Sequence, residues 1–99
     1  MRKRARVLAE AAEELEHEAN VIDRDRPGWG EKLYTAVFEA FDTIEAFPGA
    51  GQAIADGGPE RRFVLERFPC VLVYRETDTE LVIVAVAYGG REPGYWRGR

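Results

Sequence analysis

Apolar positions along the first quarter of the chain recur at three- and four-residue steps. Leu8, Ala11, Ala12, Leu15, Ala19 and Ile22 make one stripe, which predicts an amphipathic helix from about Ala9 to about Arg24. Glu10, Glu13, Glu14, Glu16 and Glu18 fill the opposite side, most simply as a solvated face. Before this helix, RARVL at residues 4–8 has room for a short strand. DRPGW then breaks the pattern: Pro27 suits the first turn of a new helix, and Asp25 stands nearby as a possible cap.

The second stripe, Trp29, Leu33, Val37, Phe41, Ile44 and Phe47, carries a helix up to FPGAG. Tyr34 and Phe38 fall outside it, so this helix has apolar surface either for burial on two sides or for a partner. The glycine-rich GAGQAIADGGPE reads as a mobile connection, since it lacks the GK[ST] ending of a phosphate-binding loop. After it the period changes to that of strands: about Arg62 to Arg67, Cys70 to Glu76 and Glu80 to Tyr88, the last two joined by TDT as a hairpin. The economical arrangement is an α+β fold in the order βααβββ, with a short N-terminal strand and a helical hairpin packed on a small antiparallel sheet.

Composition fits one domain over residues 1–99. The chain is 45% hydrophobic and 32% charged, and no apolar run is long enough to cross a bilayer. MRKRAR is followed by the charged LAEAAEELEHE, which does not serve as the core of a signal peptide, so a cytoplasmic location is expected. The single cysteine, Cys70, sits in an apolar strand and agrees with a reducing compartment. The net charge of −4 is unevenly spread. Residues 1–60 hold seven Lys+Arg against thirteen Asp+Glu, and residues 61–99 hold seven arginines against five acids.

Few residues offer chemistry. His17, the one histidine, has Glu13 and Glu14 a turn before it but no second histidine or cysteine to complete a metal site, and it reads as a solvated helix residue. Serine is absent from the chain, and Cys70 has no histidine near it in sequence. No metal or cofactor is expected. Arginine and tyrosine remain. Strand ends can bring Arg61, Arg62, Arg67, Arg75 and Arg91 towards one edge or face. Cations with a tyrosine acid or base could then stabilise a phosphorane, and Tyr88, Tyr95 and Trp96 could stack a base. The alternative is that Tyr95 and Trp96 fold the tail onto the core while the arginines pair with the acidic half.

The order of elements, with FEAFDTIEAFPGAG, RRFVLERFPCVLVYRE and LVIVAVAYGGREPGYWRGR, resembles the RelE/ParE superfamily of type II toxin-antitoxin toxins, of plasmid stabilisation type, over nearly the whole chain. Its most specific parts are FP before an apolar strand ending in YR, residues 68–75, and R-x-P-x-Y-W, residues 91–96. The resemblance implies a toxin held inactive by a cognate antitoxin protein. RelE-like members cut mRNA on the ribosome, which would make this chain an endoribonuclease, whereas ParE-like members poison DNA gyrase without being enzymes; an inactive relative that only binds its antitoxin is a third possibility. For the nuclease, the resemblance matches Arg91 to a phosphate contact, Tyr95 to an aromatic beyond it and Arg67 to a shifted basic counterpart; Tyr88 joins them as a catalytic candidate, and from their places at strand ends and in the tail Arg61, Arg62, Arg75 and Trp96 are expected to bind substrate. Tyr34 and Phe38 are the expected antitoxin contact. ADGGPERR holds no lysine before the first hairpin strand, and Tyr88 and Gly90 stand where relatives with a similar ending have a histidine and a second basic residue.

Overall fold

The computed structural model describes residues 2–54 and 58–99. Strand β1 (Ala5–Val7) leads into α1 (Ala9–Asp25) and α2 (Trp29–Ala46), followed by β2 (Gln52–Ala53), β3 (Glu60–Val64), β4 (Cys70–Glu76) and β5 (Leu81–Tyr88). The βααβββ layout therefore stands, with a two-residue strand added before the last three. Among the described residues the sheet order is β1-β5-β4-β3-β2. The hairpin strands pair antiparallel, and β1 lies parallel to β5, with Ala5 opposite Leu81 and Val7 opposite Ile83. Because α1 and α2 carry the chain out and back, β1 re-enters beside the last strand and not beside its neighbours in sequence.

The turn between the helices rests on Asp23, not on Asp25. The Asp23 Oδ1 atom accepts from the N–H groups of Gly28 at 2.9 Å and Gly30 at 3.1 Å, satisfying donors at the start of α2. Gly28 supplies a φ of +91°, open to glycine at little cost. Gly30 is needed for a different reason: a Cβ there would lie 2.6 Å from the Ala19 carbonyl oxygen, so the two helices meet backbone to backbone at this point.

Helices and sheet enclose one apolar layer. Ala11, Leu15 and Ala19 of α1 and Leu33, Val37 and Ile44 of α2 meet Cys70, Leu72 and Tyr74 of β4 and Leu81, Ile83 and Val86 of β5. Each large aliphatic side chain buried here is worth about 1.5–3 kcal/mol. The strict alternation of a strand fails in β5. Val73 pairs with Ala85 while Tyr74 pairs with Ile83, so Val84 is an extra residue, a β-bulge. Leu81 and Ile83 before it, and Val86 after it, can therefore all face the helices, while Val82, Val84 and Ala85 face the other way.

That second face is covered by the tail. Trp96 is buried against Val73, Val82, Val84 and Ala85, which is why β5 reads as an unbroken apolar run. The tail thus acts as a thin third layer.

The start of the glycine-rich connection is pinned. Tyr74, fully buried, donates from its hydroxyl to the Pro48 carbonyl at 2.7 Å and accepts from the Gly51 N–H at 2.8 Å. Arg61 donates to the Gly51 carbonyl at 2.9 Å. These bonds fasten Gly51 within the connection of residues 49–60, of which residues 55–57 lie outside the described residues.

Candidate functional site

The sheet register sorts the candidate residues by face. Arg62 pairs with Val73, Glu60 with Arg75 and Val71 with Ala87, all on the tail side; Arg61 pairs with Tyr74 and Cys70 with Tyr88 on the helix side. Arg62 and Arg75 therefore share a face with Arg91, Tyr95 and Trp96. The Arg75 guanidinium lies 3.8 Å from Glu60 and donates to the Arg99 carbonyl at 3.3 Å. A cleft of about 420 Å³ opens here, with Arg62, Arg91 and Arg97 on its walls and Val71, Val73 and Ala87 at its base.

The remaining candidates lie elsewhere. Arg61 turns towards Gly51 on the helix side. Tyr88 packs against the helix-side core, where burial, followed by the charges of Cys70 and Glu18, pushes its hydroxyl pKa up. Arg67 is exposed in the β3–β4 turn, where it lines a separate cleft with Trp29, Lys32 and Phe68. The structure does not bring Arg67 or Tyr88 to Arg91. Tyr34 and Phe38 stand together on α2, their ring centroids 5.8 Å apart, and Phe38 remains 52% exposed.

One residue that the sequence pattern assigned to a solvated face organises the tail. Glu14 reaches from α1 to accept the β5 backbone N–H of Val86 at 3.0 Å, Arg99 through two N–H groups at 2.9 and 3.2 Å, and Arg91 at 3.4 Å. Burial alone would raise its pKa. The hydrogen bonds and charge of Arg99, with the Tyr95 hydroxyl and the Val86 N–H, outweigh that effect and hold the carboxyl below its ordinary value. Within a run of five glutamates nothing in the sequence distinguishes Glu14. Only the packing of α1 over β5 brings it to the tail.

The tail aromatics are committed as well. The Arg91 guanidinium carbon lies 3.8 Å from the Tyr95 ring centroid and that of Arg99 lies 5.1 Å away, while Arg97 stands 4.7 Å from the Trp96 ring. The Tyr95 hydroxyl is buried against the Glu14 carboxylate without a hydrogen bond of standard geometry. Burial, and then the Glu14 contact and charge, raise its pKa, so it keeps its proton at neutral pH. Arginines lie over the Tyr95 and Trp96 rings, and Trp96 also packs on the sheet. Among the described residues no group of three or more His, Cys, Asp or Glu is placed to hold a metal ion. No helix among them is long and apolar enough to cross a membrane.

This architecture, a helical hairpin over a mixed sheet with an arginine-rich tail strapped across the far face, is that of a RelE/ParE superfamily type II toxin. It is similar to a solved chain titled "Chromosomal ParDE TA system from P. aeruginosa", with a TM-score of 0.78 and 20% identity, over 89% of this chain and 97% of that one. A family model described as "ParE toxin of type II toxin-antitoxin system, parDE" matches residues 6–93, and the chain belongs to that family. No curated protein matches the sequence.

Proposed function

We propose that residues 1–99 act as one toxin domain that arrests growth by binding DNA gyrase and trapping its cleaved complex with DNA, with no covalent chemistry of its own. The family match to ParE toxins favours this target over the ribosome. The observation that carries the reading is the dispersal of the proton-transfer candidates away from the cleft that Arg91 lines. An RNA-cleaving site needs a base, an acid and cations within reach of one phosphate. Here the Tyr95 hydroxyl is buried and holds its proton, Tyr88 is on the opposite face of the sheet, and Arg67 is in another cleft. An arginine-rich surface without a proton-transfer pair suits recognition.

The cognate antitoxin is the expected partner of a toxin of this family. The exposed Phe38, tilted against Tyr34 and Phe41 at 5.8 and 5.9 Å, supports the assignment of an antitoxin contact to this side of α2. Tyr34→Asp with Phe38→Asp should weaken antitoxin binding in a folded protein.

The test incubates purified protein with gyrase and supercoiled plasmid, then denatures the mixture and looks for linear DNA. A parallel reconstituted translation reaction maps mRNA 5′ ends. Linear plasmid with intact mRNA is expected. Ribosome-dependent cuts that disappear in Arg91→Ala would overturn the reading in favour of a RelE-like nuclease.

A further inference from the structure

Glu14 has one more donor around it than it can serve. A carboxylate offers about four acceptor positions on its two oxygens. Here Oε1 accepts from the Val86 N–H at 3.0 Å and Arg99 Nη1 at 2.9 Å, and Oε2 accepts from Arg99 Nη2 at 3.2 Å and Arg91 Nη1 at 3.4 Å. The Tyr95 hydroxyl, packed against the same carboxylate, is left over. Among the described residues it is the buried side-chain polar atom without a hydrogen-bond partner. Leaving such a donor unpaired is costly, which points to a second state that satisfies it.

The four bonds are not equally firm. Arg99 holds the carboxylate twice, donates also to the Val84 carbonyl at 3.2 Å, and has a side chain only 18% exposed. The Val86 N–H is part of β5 and cannot leave. Arg91 makes the longest contact and its side chain is 47% exposed. Its guanidinium carbon lies 3.8 Å from the Tyr95 ring centroid, so the weakest donor is beside the unserved one. Arg91 and Arg62 both line the 420 Å³ cleft, where Glu92 is the one acid among the lining residues.

We propose that Glu14 and Tyr95 are an exchange pair that positions Arg91: when a phosphate group enters the cleft, Arg91 leaves the carboxylate for it and the Tyr95 hydroxyl donates in its place. Arg91 is the recognising group, and the other two act through it. A phosphate suits the cleft because its oxygens, set around one centre, can meet the forks of Arg62 and Arg91 together, whereas Glu14 gives Arg91 only one long bond. The exchange keeps four donors on Glu14, so release of Arg91 leaves no buried charge short of a partner. Tyr95 can serve in this way because it keeps its proton at neutral pH. The inference rests on the reading of this surface as one for recognition, and not on the choice of gyrase as target.

The test titrates the whole protein with inorganic phosphate and, separately, with an octamer of deoxythymidylate, following the Arg91 Nε–H and Tyr95 hydroxyl protons by NMR. In the wild-type protein both signals should shift with one half-saturation point, the hydroxyl downfield as its bond forms. Arg91→Ala should show the downfield hydroxyl without any ligand. Tyr95→Phe should keep or gain stability in urea, since it removes only an unpaired buried hydroxyl, yet bind the tighter of the two probes about three- to tenfold more weakly. Equal affinity in Tyr95→Phe would overturn the proposal. So would a loss of stability in that variant without ligand, because the hydroxyl would then already be bonded. No shift at millimolar concentrations of either probe, with the native spectrum intact, would overturn it too. A response to the octamer where inorganic phosphate gives none supports the exchange and assigns the phosphate to a nucleic-acid strand; the reverse supports it with a free ion. The plasmid and mRNA assays judge the recognition reading and its target separately, so either can fail without the other.

Discussion

Glu14 and Arg99 lie 85 residues apart in sequence and join through two N–H donors at 2.9 and 3.2 Å, tying the first helix to the end of the tail. Both side chains are largely withdrawn from solvent, at 12% and 18% exposure. Removing Arg99 leaves the Glu14 charge withdrawn from solvent with only the Val86 N–H and the longer Arg91 contact, which costs more than an exposed pair is worth. Arg99→Ala should destabilise the protein by about 2–3 kcal/mol. It should also loosen the tail, seen as a red shift of Trp96 emission in a Trp29→Phe background. Unchanged urea stability and emission would mean that Trp96 alone seats the tail.

The same pair sets a pH dependence. The Glu14 carboxyl is held below its ordinary value of 4.5, so its contribution is fully present above that value and is lost as pH falls through the lowered folded value. The stability gap between wild type and Glu14→Gln should therefore be constant from neutral pH down to about 5 and close in more acidic solution. Urea unfolding of both proteins at neutral pH and near pH 3 tests the sign. A gap that widens on acidification would show that the carboxyl is raised, not lowered.

Much of the fold is legible because its periods are strong. The stripes from Ala11 to Ile22 and from Leu33 to Ile44 could only be helices, and the run from Leu81 to Tyr88 could only be a buried strand. The bulge at Val84 was not legible, since an unbroken apolar run gives no sign of where alternation slips. Parallel pairing of β1 with β5 depends on the route of two helices and has no local signal. The candidate site was half legible. Arg62, Arg75, Arg91, Tyr95 and Trp96 share a face, but Glu14 is hidden among similar glutamates, and Tyr88 faces away because strand parity, which sequence position alone does not fix, turns it towards the helices.

Gly30 should tolerate no side chain. A Cβ 2.6 Å from the Ala19 carbonyl oxygen requires the helices to separate, and the contact is with backbone, which cannot rotate away. Gly30→Ala should gain helix propensity yet lose about 1–3 kcal/mol overall through overpacking. Thermal unfolding decides the sign, since a rise in Tm would mean that the hairpin opens without cost.

Tyr74 offers a sharper test of the loop clamp. Tyr74→Phe keeps the ring in the core and removes only the hydroxyl that joins the Pro48 carbonyl to the Gly51 N–H. The loss should be about 1–3 kcal/mol, the cost of leaving buried polar groups unpaired. Faster hydrogen exchange should be confined to Gly51 and its neighbours. Uniformly faster exchange would place the effect in global stability and not in the clamp.

Cys70 should be chemically silent while the protein is folded. Its thiol is 1% exposed, and burial, followed by the negative charges of Glu18 and Glu14, pushes its pKa up to about 12. The thiolate is the reactive form, so both access and ionisation oppose attack. At pH 8 a disulfide reagent should label the native protein only as fast as it opens, and immediately in strong denaturant. Rapid labelling of the native state would mean that β4 and α1 separate far more readily than their packing allows, since the thiol lies in the layer between the sheet and the helices.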